Sequence, residues 1–350
     1  MTGQHGVSLD SRVHSTYPAG IRSLAQPVAL VSEIDKSPRR QVLDAVFIPT
    51  RNRTENVAGL LDELSWLDSP IFIIPSSDRD IELLSPLQRD RVQRLPMPES
   101  DFRHFLRALR TSQLRFAPAD WGSWDLSLKR NAVLLFARQR GYSSILFLDD
   151  DIRSITPTTV LRGAASLGSY PLSGCFIEGF PDTSVLGHLL RAVGVCEPTF
   201  LSGSFIFVDP QRTRAFFPAI YNEDWLFMLP DLLIKEVCSV GTVTQLPYDP
   251  FAVSTRAVFE EFGDVVVDAL FGLVLDGGYD SRYSQVFWTE AIAERKGLLT
   301  SLVGNASLNR SQLESAQAAL QVCLSIEPTD CVDFVEAWER DLETWHAFVD

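Results

Sequence analysis

Apolar residues fall along the chain in short unbroken bursts, separated by stretches where they recur at helical spacing. The first burst, Leu43–Pro49, closes on Thr50-Arg51-Asn52-Arg53 and reads as a strand buried on both faces. Thr54 is placed to cap a helix whose apolar face is Val57, Leu60, Leu61, Leu64 and Leu67. Ile71–Ile74 reads as a second buried strand, closed by Pro75-Ser76-Ser77-Asp78. Helices are expected over Asp101–Arg110 and Leu128–Arg140, the latter stopped by Gly141. Ser144–Leu148 is then a third buried strand, and it ends directly in three acids, Asp149-Asp150-Asp151. This strand–helix–strand rhythm predicts an α/β sheet covered by helices.

Farther along, Cys175–Ile177, Gly203–Val208 and Val240–Leu246 are short strand candidates, and Val253–Val274 carries enough apolar residues for one or two buried helices. Ser311-x-x-Glu314 has the form of a capping box, followed by Leu313, Ala316, Leu320 and Leu324 at helical spacing. After Pro328, a second stripe runs through Phe334, Trp338, Leu342, Trp345 and Val349. The expected organisation is a loose arm over residues 1–40, a main unit over 41–300 that divides near 151, and a helical hairpin over 301–350. The arm could supply an edge strand or an oligomer contact, as in a homodimer.

Composition narrows the partners. With 45 acidic against 31 basic residues the net charge is −14, and no dense basic surface is evident for nucleic acid. Only four of the basic residues are lysines, so arginine forks are the available phosphate binders. Cys175, Cys196, Cys238, Cys323 and Cys331 have no paired spacing, which argues against a disulfide framework or zinc cluster and favours a reducing compartment. The apolar stretches are too short to cross a bilayer and no leader is evident, so the expected location is cytoplasmic.

The chemistry concentrates where the third strand ends. In an extended segment, side chains two apart share a side, so Asp149 and Asp151 are expected to face one cleft while Asp150 points elsewhere. Two such carboxylates repel and call for a cation between them. Oxygen ligands suit Mg²⁺ or Mn²⁺, which keep positions for diphosphate oxygens and water. The bland alternative is a solvated turn. Trp121 and Trp124 bracket a Gly-Ser pair and could stack on a sugar or base, or pack in the core.

Five pieces in order carry a family resemblance: Phe47–Arg53, Leu128-Lys129-Arg130-Asn131, the acidic strand end, Leu201-Ser202-Gly203-Ser204-Phe205-Ile206, and Asn222-Glu223-Asp224-Trp225. Over about residues 44–250 the chain resembles nucleotide-sugar glycosyltransferases of the GT-A fold, especially the family-2-like group. The resemblance implies a Rossmann-like, mostly parallel sheet flanked by helices, with a C-terminal helical extension. It implies that Pro49, Thr50 and Arg53 line a nucleotide pocket and that Asp78 contacts the base. Arg130 would lie near the phosphates, Asp149 would hold ribose or donor sugar, and Asp151 would ligate Mn²⁺ or Mg²⁺. Asp150 is counted with the donor-binding set. Glu223 and Asp224 would sit over the acceptor, with Asp224 as first choice for the base of an inverting reaction.

The implied substrates are a nucleotide-diphosphate sugar, UDP- or GDP-linked, and a small-molecule or glycan acceptor. The Gln-x-x-Arg-Trp motif of processive synthases is absent, so single transfers are expected. The rival readings are a retaining transferase, a sugar-phosphate nucleotidyltransferase, and a sugar-nucleotide-binding protein without catalysis. Against the nucleotidyltransferase, Thr50-Arg51-Asn52-Arg53 stands where its glycine-rich loop would be.

Overall fold

The structure, a computed structural model, describes residues 32–33, 43–87, 91–96, 100–118, 125–195 and 200–350. The pair Trp121/Trp124, Cys196 and all of the arm except residues 32–33 lie outside the described residues.

In chain order the elements are β1 (Ser32–Glu33), β2 (Ala45–Thr50), α1 (Thr54–Glu63), β3 (Ile71–Pro75), α2 (Asp78–Leu84), β4 (Val92–Arg94), α3 (Ser100–Ala108) and α4 (Asp125–Gln139). They continue with β5 (Ile145–Leu148), β6 (Ile152–Arg153), α5 (Pro157–Ser166), β7 (Leu172–Gly179), α6 (Val185–Ala192), β8 (Phe205–Val208) and α7 (Glu223–Leu233). The last are β9 (Val237–Gln245), α8 (Thr255–Asp276), α9 (Gln285–Val303), α10 (Arg310–Ser325) and α11 (Pro328–Val349).

The strands form one sheet in the order β1-β9-β7-β8-β5-β2-β3-β4, with β6 paired to β9. The expected Rossmann-like, mostly parallel sheet of the GT-A kind is corrected here, because the sheet is mixed. β8 lies antiparallel between β5 and β7, and β6 is antiparallel to β9, whereas β2, β3, β4 and β5 run parallel. The α/β layering itself is present, and the strand alternation shows why. Ala45 and Phe47 of β2 enter one core, Val46 and Ile48 the other. Ile145 and Phe147 of β5 divide from Leu146 and Leu148 in the same way. A strand with both faces apolar must be covered twice. One core is closed by α4, α7, α8 and α11, the other by α1 and α5.

Two helix starts differ from expectation. Arg53, not Thr54, stands at the N-cap of α1, and no side chain caps it. The capping box of α10 is Asn309 with Gln312 rather than Ser311 with Glu314. Beyond the sheet, α10 packs on α8 and α9, and α11 packs on α9. Trp288, Trp338 and Trp345 are each at most 1% exposed there. A buried aromatic of this size contributes about 1.5–3 kcal/mol from area alone. Asp341 of α11 ties this layer back to the 3-10 turn after α3, accepting from the N–H groups of Arg110 and Thr111 at 2.8 Å.

Candidate functional site

One cavity of about 660 Å³ opens where β2, β5 and the segment entering β8 end together, roofed by the starts of α7 and α8. Such a volume is ordinary for a small-molecule site. Pro49, Thr50, Arg53, Arg130, Asp149, Asp150, Asp151, Glu223 and Asp224 all line it.

The loop after β2 is held from beneath. Asn52 adopts φ 55° and its N–H donates to Asp80 Oδ1 at 2.8 Å. Asp80 also receives the N–H groups of Ser76 and Ser77, so the end of β3 and the loop after β2 share one carboxylate. Asp78 is exposed and is not among the cavity-lining residues. Asp80 is the acid that organises this corner, and the spacing Ser77-x-x-Asp80, a capping box in the structure, was its signal. Lys129, only 2% exposed, donates to Thr50 O at 3.0 Å, to Ser76 Oγ, and to Asp125 Oδ2 at 3.1 Å. It binds α4 to both strand ends. Burial pulls its pKa down, while Asp125 pulls it up.

At the end of β5 the strict alternation stops. The chain turns, with Ile152 N–H donating to Asp149 O at 3.2 Å, so Asp150 does not point away. It is buried against Thr50 Oγ1 (2.6 Å) and Arg53 Nη1 (3.3 Å). Arg53 Nη1 also donates to Asp151 Oδ2 at 2.9 Å, and Gln245 Nε2 reaches the same oxygen at 3.4 Å. Burial, then the neighbouring Asp149 and Asp150, push the Asp151 carboxyl up to about 6 against the pull of Arg53.

Arg130 is the hub. Its Nη2 donates to both oxygens of Asp149 at 3.2 and 3.4 Å, and its Nη1 to Glu223 Oε1 at 2.8 Å. The guanidinium is 3% exposed and its Nε is left without a partner. Asp224 is held differently, by backbone: Gly203 N–H donates to Oδ2 at 2.6 Å and Trp225 N–H to Oδ1 at 3.0 Å. Burial raises both the Glu223 and Asp224 carboxyls, with Arg130 opposing it at each.

A further carboxylate lines the same cavity. Asp182, just beyond β7, accepts on Oδ2 from Ser202 Oγ and from Ser204 Oγ, the latter at 2.8 Å. Reading the sequence missed it, because it is a lone acid with no neighbouring motif. Tyr248 and Arg256 line the far end, with Arg256 Nη2 donating to Tyr248 Oη at 3.1 Å.

Among the described residues no three His, Cys, Asp or Glu side chains are arranged to hold a metal ion by themselves. Asp149 gives both oxygens to Arg130, and Asp151 gives Oδ2 to Arg53 and Gln245, so arginines already balance this carboxylate pair. No described helix is long and apolar enough to cross a membrane.

No family model matches the chain, and no curated protein matches it either. Among solved structures, the chain is similar to a protein provisionally described as a nucleotide-diphospho-sugar transferase from Desulfovibrio desulfuricans G20. The match covers 74% of this chain and 97% of that one, at 9% identity and a TM-score of 0.33. A likeness that loose fixes neither the family nor the chemistry.

Proposed function

We propose that the chain binds a nucleotide-diphosphate sugar in this cavity and transfers the sugar to a hydroxyl acceptor, non-processively and with inversion. The observation that carries the reading is the convergence on one cavity of two guanidinium groups, Arg53 and Arg130, with the carboxylates of Asp149, Asp151, Glu223 and Asp224. The two arginines supply fixed positive charge for a diphosphate, and the acids supply hydroxyl acceptors and a base.

In the proposed reaction the acceptor oxygen forms a bond to the anomeric carbon as the bond to the diphosphate oxygen breaks. The electron pair leaves with the diphosphate, and the acceptor proton passes to a carboxylate on the opposite face. Asp224 is assigned that role and Glu223 is the second choice. Each carboxylate oxygen has two lone pairs, so Asp224 can take a proton while its backbone donors hold it in direction. Arg130 and Arg53 offset the charge that builds on the leaving group. Mn²⁺ or Mg²⁺, held by Asp151 with Asp149, would add electrostatic stabilisation of the same charge when bound. Pro49 and Thr50 are assigned to the nucleotide side, with Asp150 bracing Thr50.

A panel of UDP-, GDP- and dTDP-sugars, with Mn²⁺, Mg²⁺ or EDTA, tests the reading. One nucleotide class should raise the thermal midpoint, and its sugar should be released or transferred only with metal present. Absence of binding to every nucleoside diphosphate would overturn the proposal.

A further inference from the structure

The turn that enters α7 is held from outside the sheet. Asn222 occupies the N-cap of that helix, where an asparagine side chain ordinarily accepts from a first-turn N–H while its backbone stays extended. Here neither holds. Asn222 is left-handed, with φ 61° and ψ 32°, and its side chain makes no cap bond. Its Nδ2 reaches α8 instead, donating to Asp264 Oδ1 at 2.9 Å.

Asp264 is in turn aimed by α9. Arg295 Nη2 donates to Asp264 Oδ2 at 2.8 Å. The same guanidinium donates through Nε and Nη2 to Glu261 at 2.8 and 3.0 Å, and through Nη1 to Asp268 at 3.0 Å. Arg295, Glu261 and Asp264 are all buried, and Asp264 and Asp268 reach the cavity wall. The contact is close along its length: a β-carbon on Gly263 would stand 2.4 Å from Tyr221 O, so only glycine lets α8 approach the turn.

Gluing α8 to α9 explains the fork between Arg295 and Glu261. It does not explain why the second oxygen of Asp264 is spent on Asn222, nor why that asparagine holds a left-handed backbone. Asparagine takes this conformation more readily than other residues that carry a β-carbon, and the bond from its Nδ2 to Asp264 holds the turn in place. What this anchoring determines is the direction in which α7 starts, and Glu223 and Asp224 are its first two residues.

We propose that Asp264, oriented by Arg295, is a positioning residue that acts through Asn222 to aim Glu223 and Asp224 into the cavity. Helix α9, which supplies no residue to the cavity lining, is then part of the transfer apparatus through Arg295. The inference rests on the transferase reading above, and the experiment separates the two.

Three full-length variants test it. Asn222→Gly keeps the left-handed backbone and removes only the tether. Asp264→Asn removes one of the three carboxylate charges facing Arg295. The double exchange Asn222→Asp with Asp264→Asn restores the bond with donor and acceptor swapped and leaves Arg295 an oxygen to face. Asn222→Gly and Asp264→Asn should each lower kcat for transfer about 10²-fold, as a misplacement on the order of 1 Å does, with the KM values for donor and acceptor little changed. The double exchange should recover most of the loss. A wild-type chain that transfers no sugar from any nucleotide overturns the transferase reading and this one with it. A wild-type chain that transfers, beside an Asn222→Gly variant of parental rate, overturns the positioning role alone. Loss of fold in both single variants that the exchange does not repair also overturns it, in favour of a purely structural tether.

Discussion

Gly203 and Asp224 touch so closely that the glycine cannot be replaced without moving the acid. The glycine N–H donates to Asp224 Oδ2 at 2.6 Å. A β-carbon on residue 203 would stand 2.6 Å from the β-carbon of Asp224 and 2.9 Å from Arg130 Nη1. Both distances are below what real β-carbons show, so one of the two neighbours must shift. Gly203→Ala should therefore displace the acid or the arginine. We expect transfer to fall about 10²-fold and stability by about 1–3 kcal/mol. Steady-state kinetics on the folded variant checks this, and an unchanged kcat would count against any role for Asp224.

Arg130 bridges two carboxylates with two different nitrogens, which a lysine cannot reproduce from one ammonium. Arg130→Lys should keep the fold and lose most activity. Arg130→Met leaves buried Glu223 without its cation and should cost about 3–5 kcal/mol of stability. Denaturant titration of both variants decides the matter, and equal stability of the methionine variant would contradict the ion pair.

Asp224→Asn should leave donor affinity nearly intact and lower transfer by about 10²–10⁴-fold. A base works only when ionised, and burial raises this carboxyl. Transfer by the parent should accordingly climb with pH above the ordinary carboxylate range. That rising limb should vanish in the variant. A parental limb at ordinary carboxylate pH would remove Asp224 from the role.

Much of this site could be read beforehand, for identifiable reasons. Ile145–Leu148 is apolar on both faces and then abruptly acidic, so strand, burial and polar edge are all written locally. The direction of Phe205–Val208 is not written, because a strand covered on both sides has the same composition either way. Asp182 acquires its partners from Ser202 and Ser204 across a loop, and no local pattern announces that. The tether from Asn222 to Asp264 spans 42 positions and depends on α8 abutting the turn, which only packing reveals.

Asp231 offers a test of stability rather than turnover. Its Oδ2 has no partner, and burial, then Glu236, push the carboxyl up to about 7 against Arg212 and Arg214. Between about pH 4 and 7 the folded chain thus keeps a proton that the unfolded chain has released. Stability should fall as pH rises through that window and level off above it. The decline attributable to this group is at most about 4 kcal/mol, and about 1–2 kcal/mol with solvent screening. Thermal or urea unfolding of Asp231→Asn should show a flatter profile, and an unchanged slope would refute the assignment.

The reversal of β8 has an architectural consequence. Because this strand runs against β5, the chain reaches the cavity before entering β8 and not after leaving it, and Asp149 N–H meets Ser204 O at 2.8 Å on that edge. The excursion from the end of β7 to the start of β8 therefore leaves and re-enters the sheet on the cavity side, carrying Asp182, Ser202 and Gly203 with it. The described part of that excursion is anchored at both ends of the site, by α6 packed in its own apolar cluster and by Gly203 against Asp224, so the cavity wall it supplies is as fixed as the sheet beside it.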